Sequence, residues 1–181
     1  MKDAISLTPR GLDFRGRHIP CSIGRGGVAC AKREGDGTTP AGQHLIAECW
    51  YRPDRLPAPA PWARPIGPGD LWCDETGHPA YNRHARAPLD ASHERLRRAD
   101  PLYDIVLTTN WNWPEAKPGK GSAIFLHQWR RSGYDTAGCI AMGRRHLIWL
   151  AANAAPGTRL IVPSSVPKYL HIRGSAPETR V

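Results

Sequence analysis

The chain has 181 residues, and its 25 lysines and arginines outnumber 16 acidic residues, which gives a formal net charge of +9 at pH 7. This length suits one domain with a buried core, and 18 glycines with 18 prolines favour a loop-rich, mainly β fold over a helical bundle. The positive charge fits a polyanionic partner (nucleic acid, anionic lipid or an acidic cell-wall polymer) without choosing among these classes.

Short β-type runs separated by glycines open the chain, and they predict hairpins between about residues 4 and 23. A dense turn signal follows at residues 32–42, and residues 43–51 alternate between apolar and polar side chains as a strand does. Six prolines between residues 52 and 70 favour an extended surface loop over a linker between two domains.

The second half of the sequence predicts one or two short helices among further strands. Residues 92–99 are expected to form a helix with Ser92 as its N-cap. Strands are expected at residues 102–110 and 121–127 because β-branched and aromatic residues recur there. Apolar residues at helical spacing place the main helix after Cys139, and a last strand is expected at 158–163. We therefore expect one domain over residues 1–163 and a polar tail over 164–181.

Five cysteines form an odd set, so at least one thiol stays free in a monomer: Cys21, Cys30, Cys49, Cys73 and Cys139. No two of them make a C-x-x-C pair, and the spacing of Cys73 to the nearby histidines fits no ligand pattern. The sequence therefore predicts neither a metal nor another cofactor.

The segment "GSAIFLHQWRRSGYDTAGCIAM", residues 121–142, places His127 at the end of a strand and Cys139 after a short return loop. A nearby imidazole and the N-terminus of a following helix would both favour the reactive thiolate. Gly138 has no Cβ, which would let a substrate carbonyl approach backbone N–H groups beside the sulfur. Spacing alone also allows an ordinary buried cysteine near an ordinary histidine, so both interpretations stay open here.

Three segments resemble the YkuD-type L,D-transpeptidase domain: "TPAG" at 39–42, "GSAIFLH" ending at His127, and "TAGCIAM" around Cys139. The resemblance runs from about Gly24 to Val162 and implies a β-sandwich fold. It also implies a bacterial enzyme that attacks a peptidoglycan stem peptide between its third residue, a diamino acid, and the fourth, D-Ala. An acyl-cysteine forms, D-Ala leaves, and an amine takes the acyl group, giving a 3→3 cross-link or an exchanged D-amino acid.

The resemblance assigns roles to four residues of the segment. Cys139 is the expected nucleophile, and His127 is the base that later protonates the leaving amine. The backbone amides of Gly138 and Cys139 are the expected oxyanion donors, while Thr136 is expected to shape the turn. Ala141 departs from the family, which often has Arg or Asn there, so Arg144 or Arg145 is a candidate to compensate for the missing side chain.

Candidates for binding the stem peptide are polar residues concentrated outside helical patterns, each of which could equally belong to a solvated loop. The preferred group, with two residues near the nucleophile, is Tyr81, Asn82, Arg83, His93, Thr136 and Arg144. Tryptophans that flank the predicted cleft strands are candidates to line a groove, although core packing is the more common role: Trp111, Trp113 and Trp129.

Three activities remain open at this stage. The first is L,D-transpeptidation with a stem peptide and an amine as partners and carbapenems as inhibitors; the second is hydrolysis of the same bond by a carboxypeptidase or endopeptidase. The third is an inert basic module for wall polymer or nucleic acid, although nucleic acid is not expected because "WRR" at 129–131 is its only local hint. The activity implies the cell envelope or periplasm, whereas residues 1–14 show no signal-peptide core, which leaves the cytoplasm open.

Overall fold

A computed structural model describes residues 3–165, so that nearly all of the predicted tail, 164–181, lies outside the described residues. Within this part of the chain, strands dominate and one helix forms, which confirms the mainly β prediction. The elements are β1 (Ala4–Thr8), β2 (Gly11–Phe14), β3 (Arg17–Ile19), β4 (Cys21–Ser22), β5 (Val28–Ala29), β6 (Thr39–Pro40), β7 (Gly42–Tyr51), β8 (Arg64–Pro65), β9 (Asp70–Cys73), β10 (Arg83–Arg86), β11 (His93–Arg95), β12 (Ile105–Thr109), β13 (Phe125–Gln128), β14 (Ile140–Met142), α1 (Arg144–Asn153) and β15 (Arg159–Val162).

The main sheet contains ten strands, nine of which lie in the order β3-β2-β1-β15-β7-β12-β13-β14-β4. Strand β7 pairs with β15 through its first half and with β12 through its second half, while β8 joins it from the side. A strand shared in this way lets the sheet fold over on itself and enclose apolar side chains between its two parts. The result is the sandwich-like architecture that the family resemblance implied.

Helix α1 closes one side of this core, and it is the helix predicted after Cys139. It buries Leu147, Leu150 and Ala151, which recur at helical spacing. The strand β14 separates Cys139 from the start of the helix at Arg144. No helix in the described range 3–165 is long and apolar enough to cross a membrane.

The helix predicted at residues 92–99 is wrong, because this segment contains strand β11, which pairs with β9 in a separate three-stranded sheet. Eight residues are too few for an isolated helix to be stable without tertiary contacts. Pairing with β9 supplies backbone hydrogen bonds instead, and Leu96 is buried while Arg95 is exposed. Glu94 and Leu96, two residues apart, thus lie on one face of the strand.

Two further parts of the chain position the site. Strand β5 pairs with β6 in a two-stranded sheet, which holds the turn-rich segment 30–38 between them. Residues 52–69 form an extended connection with one short strand, in which exposed and partly exposed residues predominate and Arg52, Ala60 and Ile66 are buried.

Candidate active site

Strands β13 and β14 bring His127 and Cys139 to the same cavity. The strands are parallel, with Leu126 opposite Ile140 and His127 opposite Ala141. Cys139 directly precedes β14, and its sulfur lies 3.5 Å from the backbone nitrogen of Phe125, the first residue of β13. Both His127 and Cys139 line a cavity of about 560 Å³, open to the surface.

The Cys139 thiol is neutral in this structure. Its sulfur accepts the Phe125 N–H and donates to the carbonyl oxygen of Ala123 at 3.1 Å. Burial of the thiol and the nearby negative charge of Glu94 raise the pKa of Cys139 to about 12. The expected help from a helix N-terminus is absent, because α1 begins beyond β14.

The His127 imidazole is also neutral. It is 8% exposed, and burial lowers its pKa to about 4. Its Nδ1 lies 2.8 Å from the Gln128 carbonyl oxygen, which assigns the proton to Nδ1 and leaves the Nε2 lone pair available. The ring of Tyr103 meets the imidazole edge-on, with centroids 5.3 Å apart, and helps fix its orientation. The resting pair is therefore thiol and imidazole.

The turn before the sulfur is built around Thr136 and Gly138. The Thr136 hydroxyl donates to the Cys139 carbonyl oxygen at 2.6 Å and accepts the Gly138 N–H at 3.1 Å. Gly138 has a φ of 147°, and a Cβ there would lie 2.9 Å from the carbonyl oxygen of Thr38. Only glycine fits this position. Since the Gly138 amide is engaged by Thr136, the Cys139 amide is the better candidate for the predicted oxyanion donor.

One buried hydroxyl joins the "TPAG" segment to this turn. Thr39 is fully buried; its Oγ1 donates to the Gly138 carbonyl oxygen at 2.8 Å and accepts the Gly24 N–H at 2.9 Å. The segments that carry the family resemblance, far apart in sequence, are thus in direct contact. This contact gives Thr39 a physical role, namely to hold the turn before Cys139 against β6.

The cavity combines cationic and aromatic side chains around the thiol and imidazole. Its lining includes Arg25, Tyr103, Trp129, Arg130, Tyr134 and Ala141. Of the three tryptophans that were candidates to line a groove, Trp129 lines this cavity, whereas Trp111 and Trp113 are not among its lining residues. Arg25 and Arg130 are the cationic residues of this lining, Glu94 and Asp135 are its acidic ones, and Ala141 contributes only a small side chain.

A second, smaller cavity of about 120 Å³ meets the first one at Cys139. Its charged lining residues are Lys32, Glu34, Asp74 and Glu94. Lys32 is buried, and its ammonium group is already paired with Asp36 at 2.8 Å. Three carboxylates therefore face this cavity against one neutralised cation.

Most of the predicted substrate-binding residues lie elsewhere. Asn82 is buried, and its amide bonds to the backbone of Trp111, Asn112 and Ala123 and to the Trp72 indole, so it has a structural role. Tyr81 is also buried and donates to Glu34, while Arg83 donates to the carbonyl oxygen of Pro114.

His93 and Arg144 do not reach the thiol cavity either. His93 bonds to the Ala91 carbonyl oxygen at 2.6 Å and lines a different surface cavity. Arg144, a candidate to compensate for Ala141, forms an ion pair with Asp104 and is not among the residues that line the cavity. Of the six predicted substrate residues, Thr136 alone lines the cavity that contains His127 and Cys139.

The sequence interpretation missed the importance of Glu94 and Tyr103. Glu94 lines both cavities, and its carboxylate accepts a hydrogen bond from the Tyr103 hydroxyl. The incorrect helix prediction at 92–99 concealed the position of Glu94. In a helix, residues two apart such as Glu94 and Leu96 lie on different faces, whereas in a strand they share one face. The sequence carries no local signal for this placement, because three polar residues precede Leu96 and the strand pairing comes from β9.

Comparison with known protein families matches residues 11–162 to the L,D-transpeptidase catalytic domain (YkuD). The matched range covers most of the chain and includes Thr39, His127 and Cys139. No curated protein and no solved structure matches the chain.

Proposed function

We propose, for a chain that belongs to the YkuD family of L,D-transpeptidase catalytic domains, that Cys139 takes the acyl group of a peptidoglycan stem peptide and passes it to an amine. The observation that carries the proposal is the single cavity of about 560 Å³ that contains both the Cys139 thiol and the His127 imidazole. Its volume suits a peptide segment with its side chains.

The neutral resting pair defines the first half of the reaction. As the sulfur attacks the carbonyl carbon beside D-Ala, the thiol proton moves to Nε2 of His127. The imidazolium then protonates the departing nitrogen, the carbon–nitrogen bond breaks, and D-Ala leaves with an amine terminus. The Cys139 amide would stabilise the negative charge on the carbonyl oxygen during this step.

The cavity lining offers partners for a peptide-like acyl donor, with two arginines beside the acidic Glu94 and Asp135. Arg25 and Arg130 can pair with carboxylates of the stem, for which guanidinium groups have matching geometry. Trp129 and Tyr134 offer flat apolar surfaces beside these charges. Such a donor occurs in the bacterial cell envelope, so we place the activity there.

In the second half of the reaction an amine attacks the thioester and regenerates the thiol. Water in place of the amine would give L,D-carboxypeptidase activity with the same residues. An inert binding module is less favoured, because Cys139 is half-buried and opens into a cavity. A structural cysteine would be enclosed on all sides, as Cys49 is.

The test is to incubate the protein with a disaccharide tetrapeptide, with and without an added amine, and to measure released D-Ala and amide products. Release of D-Ala by wild type, and its loss in Cys139→Ala, is expected. Amide products would identify a transferase, and free tripeptide would identify the hydrolytic variant. Equal D-Ala release by wild type and Cys139→Ala would contradict the proposal.

A further inference from the structure

We propose that Glu94 is the base that removes a proton from the amine acceptor before it attacks the acyl-cysteine. This inference rests on the proposed transferase function and adds a second acid–base residue to His127. It also names the acceptor class, namely a primary amine that arrives as an ammonium ion.

The placement of Glu94 is the geometric basis. Three residues line both cavities, namely Glu94, Ala137 and Cys139, and Glu94 is the ionisable oxygen group among them. A donor that fills the large cavity leaves the small cavity as the second approach to the sulfur. An amine using that approach meets the Glu94 carboxylate beside the thioester.

The charge around the small cavity suits an ammonium ion. Glu34 and Asp74 line it with Glu94, and Oδ1 of Asp74 is buried with no hydrogen-bond partner among residues 3–165. The groups that act electrostatically on Glu94 are Tyr103, Asp74, Arg98 and Glu34. Burial raises the pKa of Glu94, although the Tyr103 hydrogen bond and Arg98 lower it, so the carboxylate is a stronger base than an exposed one.

Proton balance explains why a second base is needed. A lysine-type amine has a pKa of about 10.4, so nearly all of it is protonated at neutral pH and has no lone pair to attack. His127 is engaged in the same step, because it delivers a proton to the departing sulfur, so a separate group must take the first ammonium proton.

In the proposed step, Glu94 takes one ammonium proton, and the nitrogen lone pair attacks the thioester carbonyl carbon. The carbon–nitrogen bond forms and the carbon–sulfur bond breaks. A second nitrogen proton passes through His127 to the departing sulfur, which regenerates the thiol. Glu94 releases its proton to solvent, so no other reactant is required.

The test compares two acceptors on Glu94→Gln. Glutamine keeps an oxygen for the Tyr103 hydroxyl and removes the base. Acyl-enzyme formation from the tetrapeptide is measured first, and then transfer of the acyl group to Nα-acetyl-lysine or to hydroxylamine. Hydroxylamine is already neutral at neutral pH and needs no base. Glu48→Gln, which removes a carboxylate outside both cavities, is the matched control.

We expect Glu94→Gln to form the acyl-enzyme as wild type does, to lose about 100-fold in transfer to Nα-acetyl-lysine, and to keep transfer to hydroxylamine. Unchanged transfer to Nα-acetyl-lysine, or equal losses with both acceptors, would overturn the role of Glu94. Failure of wild type to form any acyl-enzyme would instead overturn the proposed function, and this inference with it.

A wild-type measurement decides the matter if Glu94→Gln does not fold. With an internal base, transfer to Nα-acetyl-lysine should level off with rising pH. A rate that rises tenfold per pH unit over roughly pH 6 to 9 would mean that only the free amine reacts. That result would also overturn the role of Glu94.

Discussion

Replacing Thr39 with valine tests whether the "TPAG" segment holds the nucleophile turn in place. Valine has nearly the same shape as threonine, so the change removes the hydroxyl and leaves the packing. Two buried backbone groups then lose their partner, the Gly138 carbonyl oxygen and the Gly24 N–H. The perturbation is thus confined to one point of contact between β6 and the turn.

The magnitude follows from those two groups. Each buried polar group left without a partner costs about 1–3 kcal/mol, so Thr39→Val should lower the free energy of unfolding by roughly 2–6 kcal/mol. Thr158→Val is the control, because its hydroxyl accepts one exposed backbone N–H, that of Ala155. That change should cost less than about 1 kcal/mol, since water replaces the partner.

The assay is equilibrium unfolding in urea followed by tryptophan fluorescence, with acyl-enzyme formation measured on the same samples. We expect Thr39→Val to unfold at lower urea than Thr158→Val and to form the acyl-enzyme more slowly. Equal stabilities of the two variants would refute the argument that Thr39 supports the turn. A destabilised variant with an unchanged acylation rate would show that the turn keeps its shape without this hydroxyl.

Three further predictions concern the same region. Gly138→Ala should lower the free energy of unfolding by about 3 kcal/mol, because a φ of 147° is strained for alanine and the added Cβ would meet backbone atoms. Gly119→Ala, where the added Cβ meets open space, should lower it less in the same urea titration. The rate at which iodoacetamide alkylates Cys139, measured by peptide mass spectrometry, should rise about tenfold per pH unit up to its pKa of about 12, while exposed Cys30 reacts readily. A rate for Cys139 that levels off near neutral pH would contradict a neutral thiol. Asn82→Ala should lower the melting temperature more than any of these changes, since it leaves several buried groups unpaired, and a near-native melting temperature would refute its structural role.

Local patterns predicted the elements whose signal lies within the element itself. The hairpins near the N-terminus, the long strand β7 and helix α1 all carry their own periodicity of apolar residues. The sequence also predicted that His127, at the end of a strand, and Cys139, after a short return loop, lie near each other, and both line one cavity. Strand β14, which lies between Cys139 and α1, was not predicted. The family resemblance added Thr39, whose contact with Gly138 no local pattern reveals.

Features that depend on distant partners escaped prediction. Residues 92–99 form no helix, because β9 offers backbone hydrogen bonds that the segment itself does not encode. The polar character of Asn82 suggested a substrate contact, whereas its partners are backbone groups of a loop about thirty residues further along the chain. Glu94 lies in β11, the strand that the sequence predicted as a helix, so its position in the same cavity lining as Cys139 was missed as well.

The most direct test of the central claim is the intact mass of wild type and of Cys139→Ala after incubation with a carbapenem, the acyl-donor mimic predicted to inhibit this family. The account predicts a covalent adduct of one carbapenem on wild type and none on Cys139→Ala, because the half-buried thiol opens into the cavity beside His127. An unmodified wild type, or an adduct that persists in Cys139→Ala, would contradict the assignment of Cys139 as the nucleophile.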